Sequence, residues 1–353
     1  MEDRLNEVLM NIKPLDSVVY GQCVEKWNAI AKPLHGLGKL EDIICQIGAV
    51  RRDVSAPFER KCAVIMCADN GVVEEGISQT DERVTAIVAN NLAEGISTVN
   101  LMSAGEHVTV IPVDMGMKEE VFHERILNKC VRRGTGNIAK GPAMTREECI
   151  TAILHGIDVV CYVKEQGFDV IASGEMGIGN TTTTAALASV LLGMPAGAVT
   201  GKGAGLSREG LARKIAVVER AIKVNQPDRT SPVDMLSKLG GFDIAGMTGL
   251  FLGGAFYRIP VIVDGVISLV AANLAKMMCR ESADYMICSH GSREPACAGL
   301  FDMLEKKPVI QADMALGEGT GAVLLFPLLD MAKRIYDRNI TFGDICMDAY
   351  KPL

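Results

Sequence analysis

The feature that most constrains the fold is a recurrence. Five apolar runs of strand length each break into a polar loop carrying Gly or Asp: residues 61–67 into ADNG (68–71), 107–113 into DMG (114–116), 168–172 into SGEMGIGN (173–180), 259–263 into DG (264–265) and 283–288 into SHGSRE (289–294). A run that is apolar throughout is buried on both faces, which implies a parallel sheet covered by helices. Parallel strands end on a common edge, so the five loops are expected to form one continuous site there, where open α/β sheets bind ligands. The predicted class is α/β, a Rossmann-like parallel sheet flanked by helices. The 48% hydrophobic content, with 5% aromatic residues and 36 Gly, suits an Ala/Val/Ile core of this kind.

Between these runs, helix signals can be placed. Thr145 and Glu148 form a capping-box pattern before the stripe Ile150, Ile153, Leu154, Ile157 and Cys161. His155 on that helix reads as structural. Ser207 caps a helix whose buried face is expected at Leu211, Ile215, Val218 and Ile222, with Lys214 at its border. Ser231 and Pro232 start another that Gly240 and Gly241 end. One helix is predicted from about 84 to 103. The turn at 36–39 reads as a plain loop before a helix starting near Lys39, and the charged stretch 118–133 as a solvated excursion. Residues 1–32 read as a helical lead-in.

The richest stretch is GEMGIGNTTTT, residues 174–184. Gly174, Gly177 and Gly179 permit close backbone approach to a ligand, and Asn180, Thr181 or Thr182 can cap the following helix, whose free N–H groups attract anions. Glu175 lies among these glycines. Glu318, in LGEGTGA (316–322), is likewise flanked by Gly317, Gly319 and Gly321 ahead of an apolar helix. A helix-terminal acid ordinarily complements the dipole, at about 0.3–1 kcal/mol. Two Gly-embedded carboxylates beside anion-binding turns instead suggest chemistry on a phosphorylated sugar or nucleotide.

Composition excludes other classes. A net charge of −7 opposes a nucleic-acid footprint and gives no membrane surface. The 11 Cys never form CxxC, so neither a zinc site nor a disulfide framework is expected, and no metal or cofactor is assigned. With no signal peptide or membrane span recognised, a cytoplasmic location is expected. A nucleotide-dependent oxidoreductase would carry GxGxxG after the first strand, and 61–71 does not.

Taken together, GEMGIGNTTTT, GKGAGL (201–206), GLARKIAVVERA (210–221), GGFDIAGMTG (240–249), VDG (263–265), SHGSREP (289–295) and LGEGTGA resemble the nicotinate-nucleotide:dimethylbenzimidazole phosphoribosyltransferases, which assemble the cobalamin lower ligand. PLHGLGKLE (33–41) and ADNGVVEEGIS (68–78) fit the same family, and the match is collinear from about 33 to 330. The resemblance implies a large Rossmann-like catalytic domain (33–330), a small helical domain from both chain ends (1–32 with 331–353) and a homodimer, a paralogous heterodimer being the alternative. It implies Glu318 as catalytic base, Glu175 as a second catalytic carboxylate and Lys214 as a functional cation. Substrate contacts are expected from Gly177, Gly179, Asn180, Thr181, Gly203, Gly205, Asp264, Ser292 and Gly317, with Thr80, Val88 and Met176 walling the aromatic-base pocket. The substrates implied are nicotinate mononucleotide and an aromatic base, 5,6-dimethylbenzimidazole or alternatively adenine or a phenol. Asn70, Asp81 and Asp243 depart from the family pattern of His, Pro and Glu. A non-catalytic nucleotide-binding subunit is the reading from another class; retention of both Glu175 and Glu318 speaks against it.

Overall fold

Lys61–Ala68 forms β1, buried at every position, and its alternating side chains feed two cores. Cys62, Val64 and Met66 face one layer of helices; Ala63, Ile65 and Cys67 face the other. The computed structural model describes residues 1–203 and 205–350. Ala204 of GKGAGL and the last three residues of the expected small domain lie outside them. The remaining strands of the main sheet are β2 (Val108–Gly116), β3 (Leu127–Asn128), β4 (Val170–Met176), β5 (Val261–Val263) and β6 (Met286–Cys288), in the order β3-β2-β1-β4-β5-β6. Every pairing is parallel. The chain winds outward in both directions from β1 and β4, so the topological switch point lies between their carboxyl ends. The register there sets Met66 opposite Glu175 and Cys67 opposite Met176. A two-residue parallel pair, β7 (His290–Gly291) with β8 (Ile310–Gln311), continues from β6.

The helices Arg146–Glu165, Phe242–Tyr257 and Val266–Met278 cover one face of the sheet; Lys39–Arg51 and Phe326–Arg338 cover the other. The capping box at Thr145 and Glu148, the Ser207 cap and the Ser231–Pro232 start all form as expected. His155 Nδ1 donates to the Lys129 carbonyl, 2.7 Å away, a structural contact. At 36–39 the turn is held by Glu41, which accepts from the Leu37 N–H at 2.8 Å, so it is a plain loop.

Four expectations are corrected. The helix predicted over 84–103 is two, Arg83–Glu94 and Thr98–Ser103, broken by Gly95 at φ +82° and restarted by a Ser97/Asn100 capping box. The stretch 118–133 is not simply solvated: β3 extends the sheet, and Arg133 returns to bond Asp114 Oδ2 at 2.7 Å. Strand β4 runs through Gly174 and Glu175 to Met176, so Glu175 stands on the sheet instead of in a loop. The buried face of the helix Arg208–Asn225 is Lys214, Val217, Val218 and Ala221, which puts Lys214 within that face and not at its border.

The two chain ends meet. Trp27 and Tyr336 pack with ring centroids 5.0 Å apart, and Ile30 bridges Thr341 in antiparallel fashion. Leu5, Val8 and Ile12 pack instead into the core on the opposite face of the sheet. Among the described residues no helix is long and apolar enough to cross a membrane.

Candidate active site

A cavity of about 320 Å³ opens at the carboxyl ends of β4 and β5, floored by Glu175, Met176, Gly177 and Asp264. The loop 314–320 forms one wall and the helix Arg83–Glu94, through Val84 and Val88, an apolar one. His290, Ser292 and Glu294 close the far side. The loops after β1 and β2 do not line it. Asp69 accepts from the Lys118 N–H at 2.8 Å and its own N–H donates to the Gly116 carbonyl at 3.1 Å, so the two loops hold each other, while Asp114 accepts from the Gly116 and Met117 N–H groups at 2.9 Å within its own turn. The site is therefore built by three of the five strand ends.

Of the residues expected in the site, Glu175, Glu318, Gly177, Asn180, Thr181, Gly203, Asp264, Ser292, Gly317, Val88 and Met176 line this cavity. Lys214 stands immediately behind: its Nζ donates to Thr181 Oγ1 at 2.9 Å. Gly179 and Gly205 do not reach the cavity. Gly179 takes a left-handed conformation, φ +92°, to start the helix Asn180–Leu192, and the Gly205 carbonyl accepts from Gln79. Thr80 is exposed and lines a separate surface depression with Asp81, Arg83, Val84 and Ile87, so it is not part of the pocket wall. Sequence reasoning missed His290, Glu294, Val84 and Leu316 as lining residues. His290 and Glu294 were within SHGSRE, and their place in a polar loop directly after a predicted strand was the available signal.

Asn180 does not cap its helix. The cap is Gly179, the Asn180 and Thr182 N–H groups are taken by the Gly177 and Gly179 carbonyls, and the Asn180 amide turns inward. There Nδ2 donates to Glu175 Oε2 and, at 3.0 Å, to Asp243 Oδ2. Burial and the neighbouring acids Asp243, Asp264 and Glu318 push the Glu175 carboxyl up to about 8 despite the bond from Asn180. Burial likewise drives Lys214 down to about 8, with nearby Glu294 opposing the shift. Asp264 is raised by burial; His290 Nδ1 lies 4.0 Å from its Oδ1, and the Ala322 N–H donates to it at 2.9 Å.

Glu318 occupies a left-handed backbone position, φ +57°, uncommon for a side-chain-bearing residue and a form of strain found at functional sites. Its carboxyl is raised by burial, the Val99 backbone N–H opposing, and Oε2 is buried without a hydrogen-bond partner among the described residues. A carboxylate held this way has an unused acceptor and an elevated proton affinity, which suits a general base.

Residues 12–345 match the model of a family described as Phosphoribosyltransferase. The nicotinate-nucleotide–dimethylbenzimidazole phosphoribosyltransferase of Ruminiclostridium cellulolyticum is 43% identical over 347 residues, 98% of this chain and 99% of the relative. That of Clostridium acetobutylicum is 42% identical over 349 residues, 99% of each chain. The crystal structure of the enzyme of that name from Thermus thermophilus superposes with a TM-score of 0.88 at 35% identity, over 95% of this chain and 99% of the other. The chain belongs to the nicotinate-nucleotide–dimethylbenzimidazole phosphoribosyltransferase family.

Proposed function

We propose that this chain moves the 5-phosphoribosyl group of nicotinate mononucleotide to 5,6-dimethylbenzimidazole, releasing nicotinate and forming the α-ribotide. The observation that carries this reading is Glu318: a carboxylate with a free acceptor oxygen beside an apolar wall of Val84, Val88, Met176 and Leu316, opposite a polar floor. In the donor the pyridinium nitrogen is cationic, so nicotinate leaves C1′ with the bonding pair as a neutral ring and needs no general acid. The acceptor is the difficulty. A neutral benzimidazole nitrogen attacking C1′ becomes cationic unless its other N–H is relieved of its proton. Glu318 takes that proton while the new N–C1′ bond forms, a contribution typically of about 10²- to 10⁴-fold. Attack from the face opposite nicotinate inverts the β-linkage to α.

The cation of Lys214 behind Thr181, with Ser292 and the Gly177 and Gly203 backbones, supports a phosphoribosyl subsite on the polar side. We assign the roles of Glu175 and Lys214 as catalytic carboxylate and functional cation on the same reading. We also propose a cytoplasmic homodimer, supported by Ile87 and Leu101, which are 57% and 72% exposed on consecutive helices. For the division into a small domain (1–32 with 331–353) and a large one (33–330), the Trp27–Tyr336 and Ile30–Thr341 contacts between the ends support the part from Trp27 onward, whereas Leu5, Val8 and Ile12 pack into the core on the opposite face of the sheet.

The test is product analysis by mass spectrometry, with nicotinate mononucleotide and a mixed panel of benzimidazoles, purines and phenols. The expected product is the dimethylbenzimidazole ribotide, with one nicotinate released per ribotide. Exclusive formation of a purine or phenol ribotide would overturn the acceptor assignment, and absence of any ribotide the transfer itself.

A further inference from the structure

Behind the cavity floor lies a carboxylate that the transfer reaction does not call for. Asp243, at the start of the helix Phe242–Tyr257, is fully buried and makes no ion pair among the described residues. Its Oδ1 accepts from the Ile244 N–H at 2.9 Å, and its Oδ2 accepts from Asn180. The same Asn180 nitrogen spends its other hydrogen on Glu175. Two acceptors on one amide nitrogen stand on the order of 5 Å apart, close enough that two carboxylates resist ionising together. The backbone makes room for this arrangement. A Cβ on Gly177 would stand 2.7 Å from Asp243 Oδ2, and one on Gly241 would collide with Oδ1.

We propose that Asp243 is a positioning residue for Glu175: through the shared Asn180 amide the two carboxyls hold one proton between them, and Glu175, the member facing the cavity, carries it. The inference rests on the transfer function proposed above and deepens it. Four carboxyls line the cavity, Glu175, Asp264, Glu294 and Glu318, and a mononucleotide is itself an anion. A neutral Glu175 removes one repulsive charge, offers an O–H donor, and leaves Glu318 to receive the acceptor's proton.

The surroundings of the pair reinforce this assignment. From β1 comes the Cys67 thiol and from the turn after it Asn70; from the 314–320 loop, Glu318; from the end of β5, Asp264 with His290 beside it. The Lys214 cation is turned to Thr181 and Glu294 instead. Burial raises both members, but Asp243 stands at the start of its helix and also accepts from the Ile244 N–H, whereas Glu175 has the Asn180 amide alone, so the charge settles on Asp243 and the proton on Glu175.

The experiment is a ¹³C NMR titration of substrate-free protein labelled at its side-chain carboxyls, the Glu175 signal identified by its loss in Glu175→Gln. In the parent this signal is expected to titrate near neutrality or above. In Asp243→Asn, which keeps the shape and removes the charge, the one amide oxygen can accept from Asn180 while the bond from the Ile244 N–H is given up, and the Glu175 midpoint is expected to fall by about one unit or more. A purely structural Asp243 would leave the midpoint in place. Should Asp243→Asn not fold, infrared difference spectroscopy of the parent against Glu175→Gln at pH 7 decides: the C=O stretch of a protonated carboxyl is expected, and its absence overturns the proposal. Titration of Glu175 in the ordinary carboxylate range, or a midpoint unmoved by Asp243→Asn, overturns it too. These measurements involve no turnover, so their failure is distinguishable from failure of the product assay.

Discussion

Replacing Glu318 by Gln removes the ability to accept a proton while keeping the side chain's size and its acceptor for the Val99 N–H. The departing nicotinate needs no assistance, and the cavity that orients the two substrates is unchanged, so the loss should sit at the lower end of the general-base range. About 10²-fold in kcat, or ~2.7 kcal/mol of transition-state stabilisation, is expected, with the KM for the mononucleotide little altered. The assay is steady-state nicotinate release with saturating dimethylbenzimidazole across a range of pH. Because burial raises the Glu318 carboxyl, parent kcat is expected to fall on the acid side at a pH above the ordinary carboxylate range, and Glu318→Gln to lose that limb. Stability should move the other way. A carboxyl raised on folding stabilises below its unfolded pKa and loses that contribution as pH rises, so ionised Glu318 is a burden at pH 8. The variant is expected to melt at or above the parent temperature there. Activity within about threefold of the parent, or an acid limb that survives the substitution, would refute the assignment.

Lys214→Met is expected to raise the KM for the mononucleotide. It should also raise the melting temperature at pH 7, because a buried Lys lowered to about 8 costs stability fully below that pH and progressively less toward 10.5; thermal unfolding at pH 7 and 10 checks the difference. Gly177→Ala is expected to destabilise the fold by roughly 1–3 kcal/mol, since its Cβ would strike the Ala68 carbonyl and Asp243, and to weaken both substrates together; denaturant unfolding and both KM values test it. Val88→Gln should change the kcat/KM ratio between dimethylbenzimidazole and adenine by more than it changes the mononucleotide KM, whereas Thr80→Val, outside the cavity, should change neither; competition assays with both bases decide.

The succession of strands along the chain and the edge carrying the site were legible because burial on both faces writes a continuous apolar run, and each of the five expected strands has a counterpart in the structure. β3 was not legible. Two residues paired on an edge need no apolar run, and what brings them back to β2 is Arg133 reaching Asp114, a contact between distant groups that no local pattern encodes. The pocket wall was only partly legible for a related reason. Val88 and Thr80 are both near the start of one helix, but the helix begins at Arg83, and whether a side chain before it turns toward the cavity or away depends on that start. Val84 and Leu316, from segments more than two hundred residues apart in the chain, become neighbours only through the crossovers.

The glycines carry a different lesson. In the chain they read as places where a phosphate approaches bare backbone. In the folded protein many of them are places where another side chain does. A Cβ on Gly317 would stand 2.7 Å from Glu175 Oε1, and one on Gly203 3.0 Å from Thr181 Oγ1 and 3.3 Å from Lys214 Nζ. On Gly201 it would overlap the Glu294 carboxylate, and on Gly321 the His290 ring. Glu175, Lys214, Glu294 and His290 are thus each set against a residue with no side chain, which admits the group close to the backbone. The glycine pattern of this chain is therefore as much a record of where its acids and its lysine sit as of where a ligand can approach, and substitutions at these glycines act first on the geometry of Glu175, Lys214, Glu294 and His290.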